Sequence, residues 1–121
     1  AGLLFTESGA GRYEMAGHLR IAVGGIFIEG SLDSDSTIQV GSAVDSDDRY
    51  RIDASIRLLL TDGNTMTLRI VGFGVPRENH LQIAGLFKTA TDSLNLAEQG
   101  SFSGLVNVDS EFGSLELTLT P

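Results

Sequence analysis

The chain has no cysteine, a single lysine, and no run of apolar residues near the 18 that a membrane-spanning helix needs. Without cysteine it can form neither a disulfide framework nor a thiolate metal site. No signal-peptide pattern is present. The chain opens on Ala1-Gly2 rather than Met, as expected after removal of a leader or tag. Cysteine usage leaves the compartment open, and the cytoplasm is the expected one. Basic residues are scarce. Eight stand against sixteen acidic ones, for a net charge of −8 and a pI near 4.5, and they are scattered along the sequence. Nucleic acid and anionic membranes require a basic face, so neither is an expected partner, and the acidity reads as a solubility device.

Motifs for common chemistries are missing as well. There is no Gly-x-Ser-x-Gly elbow and no phosphate-binding loop, and Gly72-Phe73-Gly74 is too short for a dinucleotide fingerprint. His18 and His80 both fall on outward positions and read as surface residues. Asp33 and Asp35 form one acidic cluster, and Asp45, Asp47 and Asp48 another. An intervening strand would hold the two roughly 25 Å apart at ~3.3 Å per residue, so they do not build one cage. No metal and no cofactor is expected.

What the sequence does have is alternation. From Arg12 to Val23 one face carries Tyr13, Met15, Gly17, Leu19, Ile21 and Val23. From Arg49 to Leu60 the inward set is Tyr50, Ile52, Ala54, Ile56, Leu58 and Leu60. The pattern recurs through Met66-Leu68-Ile70, Leu81-Ile83-Phe87, Phe102-Val106-Val108 and Leu115-Leu117-Leu119, with shorter candidates at 3–6, 26–29 and 37–44. Period-2 patterning with frequent turn signals predicts an all-β fold. The expected form is one domain over 1–121, a small antiparallel meander barrel of the lipocalin-like or calycin-like kind. It would have eight or nine strands and one short helix near 92–99, capped by Asp92 and stopped by Gly100.

Two hairpin registers can be argued. A three-residue loop Asp62-Gly63-Asn64, with Asn64 left-handed, sets Leu58 opposite Leu68 and Ile56 opposite Ile70, which keeps both apolar sets on one side. A four-residue loop Val75-Pro76-Arg77-Glu78 sets Ile70 opposite Ile83 and Gly72 opposite Leu81. It places Phe73 beside His80 and Leu86 beside Thr67.

Mid-strand small residues, Gly17, Ala54, Gly72, Gly85 and Gly104, fit either a ligand-sized interior or the tight coiling of a small barrel. Inward hydroxyls are few: Tyr13, Tyr50, Ser42 and Thr89. A cavity lined by Phe27, Phe87, Phe102, Tyr13 and Tyr50 has the make-up of a site for a small hydrophobic or aromatic ligand. On the outer side Leu59, Val71, Phe73, Ala84 and Leu86 fall together, a patch expected to mark a homo-oligomer interface or to lie under the helix.

Gly24-Gly25-Ile26-Phe27, followed by Asp53-Ala54-Ser55-Ile56-Arg57-Leu58 and Thr61-Asp62-Gly63, with Phe102-x-Gly104 later, resembles a family of uncharacterised bacterial and fungal proteins with a lipocalin-like β-barrel. The resemblance implies the barrel and supplies no catalytic residues. The functional expectation is a barrel that binds an apolar or aromatic molecule inside, either as a binding protein or as a cofactor-free isomerase or cyclase using a tyrosine hydroxyl. The alternative is an assembly module with a filled core that works through its outer patch.

Overall fold

Alternation becomes ten strands in the computed structural model, which describes residues 3–43, 49–90, 99–108 and 113–121. They are β1 (Leu4–Gly9), β2 (Arg12–Ala16), β3 (His18–Val23), β4 (Ile26–Leu32), β5 (Thr37–Ala43), β6 (Tyr50–Leu60), β7 (Thr65–Pro76), β8 (Leu81–Ala90), β9 (Gln99–Asn107) and β10 (Ser114–Thr120). The strand beyond the expected count arises because the run from Arg12 to Val23 breaks at Gly17, whose φ is 124°. Before the break β2 pairs with β1 and β5; after it β3 pairs with β4 and β10. The helix expected near 92–99 falls, through Glu98, outside the described residues, while Gln99 and Gly100 belong to β9.

The hub of the wall is β6. One edge pairs with β7, and the other pairs first with β5 and then with β4. From β6 the sheet passes through β7, β8, β9 and β10, reaches β3 and β4, and closes on β6 as a seven-strand barrel; β5, β2 and β1 extend it as extra strands. The meander holds from β6 to β10. The seam is a parallel pairing, with Leu117 of β10 opposite Ile21 of β3.

Between β4 and β5 the chain crosses Arg57 of β6, and hydrogen bonds fill the gap in the ladder. Asp33 N donates to Arg57 O at 2.9 Å. Arg57 N donates to Ser36 Oγ at 3.0 Å, and that hydroxyl donates to Arg57 O at 3.2 Å. Ser36 is fully buried, and its hydroxyl stands in for the missing backbone partner.

Both hairpins keep the expected faces, but the pairs shift by two residues in β6–β7 and by four in β7–β8. In β6–β7, Leu58 faces Met66, Ile56 faces Leu68 and Ala54 faces Ile70. The loop is still three residues, but it is Thr61-Asp62-Gly63. Gly63 N donates to Leu60 O at 3.0 Å and Leu60 N to Asn64 O at 2.8 Å. Gly63, at φ 91°, takes the left-handed position instead of Asn64, because glycine has no Cβ to clash there. In β7–β8 the loop is 77–80, closed by Arg77 N donating to His80 O at 2.8 Å. Ile70 therefore faces Phe87, Phe73 faces Ala84 and Leu86 faces Val71. The pairs Phe73–His80 and Leu86–Thr67 do not form.

Candidate functional site

The inward side chains leave little room. A chamber large enough for even one water leaves accessible surface on the residues that line it. Ile52, Ile56, Leu58, Met66, Leu68, Ile70 and Ile83 have none. The small residues do not open a space either. Gly72 and Gly85 stand opposite one another on β7 and β8. A Cβ on Gly72 would overlap the Ala84 carbonyl oxygen, and one on Gly85 would overlap that of Val71 and lie 2.6 Å from Gly72 Cα. Here the missing side chain allows two strands to approach closely.

The five aromatic residues expected to share a ligand do not converge. Phe87 and Phe102 are core residues, 2% and 3% exposed. Tyr13 is half-buried at one mouth of the barrel, in a depression of about 270 Å³ shared with Val40, His80 and Leu81, and its ring meets Phe5 edge-on at 6.5 Å. Tyr50 is also half-buried and pairs with Gly74, towards the same end. Phe87 lies six positions along β8 from Leu81, or ~20 Å. Phe27 is not inward at all. The Gly24-Gly25 turn sets Ile28 opposite Ile21, both buried, so Phe27 faces out and is 59% exposed. The Arg20 guanidinium covers its ring at 3.7 Å and also pairs with Glu29 at 3.2 Å.

Of the remaining candidates, His18 is an outward residue of β3, 3.8 Å from Glu29. His80 sits in the 77–80 loop with Nδ1 3.0 Å from Asn79 Oδ1. Ser42's side chain and Asp45, Asp47 and Asp48 lie outside the described residues.

The outer face of β7 and β8 is different. Val71 and Leu86 are direct cross-strand neighbours, with Phe73 and Ala84 in the next outward row. Their exposures are 48% for Val71, 40% for Phe73 and 69% for Leu86. Leu59 is exposed but does not join them. It pairs with Thr65, six positions along β6 from the Asp53 that faces Val71, or ~20 Å away.

The chain matches no family model, no curated protein and no solved structure. What the outer face can do therefore rests on its own geometry.

Beside Leu86 the face sinks into a mainly apolar groove of about 670 Å³, walled by Val71, Leu86 and Phe87 and continuing to Gln99 and Gly100. Arg69 and Lys88, directly opposite each other, stand at its rim. Arg69 Nη2 is 3.1 Å from Asp53 Oδ2, and the Arg49 guanidinium lies 4.9 Å from the centre of the Phe73 ring. Two basic residues 19 positions apart in the sequence, Arg69 and Lys88, thus meet across one strand pair. No linear run announces this, because the strand pairing assembles it. The apolar members were legible from parity alone, but their adjacency required the true register.

Proposed function

We propose that this protein is an interaction module. The barrel serves as a rigid frame, and the outer face of β7 and β8 around Val71, Phe73 and Leu86 does the binding. The observation that carries this reading is three large apolar side chains in adjacent rows, each at least 40% exposed, on a barrel whose inward residues touch one another. Exposed apolar clusters of this kind mark binding surfaces. An interior ligand, or an isomerase or cyclase built on one, would need the tyrosines and phenylalanines around a common chamber, and they are spread over a mouth, the core and the outside. A symmetric pair of copies meeting through this face would bring the opposed cations Arg69 and Lys88 of both copies together, which disfavours self-association here and favours a different occupant.

The uncharged fluorophore N-phenyl-1-naphthylamine tests the reading. Its fluorescence should rise saturably with the wild-type protein, vanish with Leu86→Arg, and persist with the interior change Ile70→Val. Retention by Leu86→Arg, or loss in Ile70→Val, would return the binding to the interior. Sedimentation velocity on the same samples should show a monomer.

A further inference from the structure

Resting on that reading of the outer face, we infer that the occupant of the groove beside Leu86 is a small amphipathic anion, an apolar or aromatic body carrying a carboxylate or sulfonate. The body follows from Val71, Leu86 and the edge of Phe87, and the volume of about 670 Å³ lies within the span of small-molecule sites. The charge follows from the rim. Arg69 and Lys88 are a directly opposed pair on adjacent strands, a spacing of roughly 4.5–5.5 Å between their Cβ atoms, so one anionic head can engage both. Asp53 occupies one nitrogen of the Arg69 guanidinium and leaves its other donors available. Among the described residues, no ion pair reaches Lys88.

The surroundings sharpen the argument. β7, β8 and β9 contain no acidic residue, although the chain as a whole carries a net charge of −8. An acidic protein repels anions at most of its surface, so a groove whose described lining holds two cations and no carboxylate, with Asp53 of β6 already engaged by Arg69, selects an anion at that place. The size of the apolar area decides between a small molecule and a protein segment. A stable protein interface buries about 800 Å² per partner, and the contiguous large apolar residues here number only three.

The test uses two fluorophores that share an aromatic frame and differ by a sulfonate, 8-anilinonaphthalene-1-sulfonate and N-phenyl-1-naphthylamine. At low salt the sulfonate should bind at least tenfold more tightly. Lys88→Gln should remove most of that margin and leave the uncharged probe unchanged, and raising the salt should do the same. Circular dichroism checks that the variant remains folded. Equal affinities, or sulfonate binding insensitive to Lys88→Gln and to salt, would overturn the anion inference while the outer-face reading stands. Failure of both probes would sink both. Co-sedimentation with phosphatidylglycerol vesicles that is lost in Lys88→Gln would transfer the site to a lipid surface and overturn the small-molecule assignment.

Discussion

Replacing Gly72 by Ala adds one methyl group on the inward side of β7. A Cβ there would overlap the Ala84 carbonyl oxygen and lie 2.8 Å from both Ala84 C and Gly85 Cα. These are backbone atoms, held by the ladder on either side through the pairs Val71–Leu86 and Phe73–Ala84, so none can rotate away. Overpacking a tight interior costs about 1–3 kcal/mol. Against that stands a gain of about 0.5–1 kcal/mol from replacing a strand glycine with alanine. Because the obstruction is backbone, the cost falls at the upper end and the net loss is about 2 kcal/mol. For a chain of this size that is a Tm decrease of roughly 6–10 °C. Urea unfolding followed by far-ultraviolet circular dichroism measures it, with tyrosine emission as a second probe because the chain has no tryptophan. A Gly72→Ala protein as stable as wild type would mean that the space beside Gly72 is open. The interior would then again be a ligand chamber.

Two further outcomes concern the wall. Ser36→Ala should cost about 1–2 kcal/mol, since the Arg57 N–H loses its hydroxyl partner while Arg57 O keeps the Asp33 N–H; a change under about 0.5 kcal/mol in chemical denaturation would contradict this role. The Asn64 backbone N–H, 2.9 Å from Asp62 Oδ1, and then the Asn64 side-chain amide hold the Asp62 carboxyl below the ordinary aspartate range. The stability this adds is complete above the ordinary, unfolded-state value and is lost as pH falls through the lowered folded value. Wild type and Asp62→Ala should therefore converge in urea midpoint at low pH, and a carboxyl that titrates in its ordinary range by carbon NMR would refute the assignment.

Parity was legible and register was not. Alternation alone identified Ile52, Ile56, Leu58, Leu68 and Ile70 as inward and Val71, Phe73 and Leu86 as outward, and all eight are so placed. A shift of two residues, or of four, leaves every face unchanged, so the hydrophobic pattern cannot detect it. Only the choice of turn residue can, and at 61–64 glycine took the left-handed position that Asn64 was expected to fill. The same blindness hid the Val71–Leu86 neighbourhood and made Leu59 look like its companion. Phe27 failed for a different reason. Its strand is short, and its parity is set by Ile28 meeting Ile21 across the turn, a pairing invisible from residues 26–29 alone. The basic pair was hidden because Arg69 and Lys88 are 19 positions apart in sequence and adjacent only across strands.

The parallel seam has a kinetic consequence. Leu117 meets Ile21 across 96 positions of chain, whereas the hairpins from β6 to β10 join residues close in sequence. Those local pairs can form early. The seam must wait, because closing so long a loop costs entropy before any contact repays it, and such non-local pairing slows folding. Until it forms, β3 and β10 present unpaired edges that could template the wrong partner. The step that makes this sheet a barrel is thus also the step that buries these two edges.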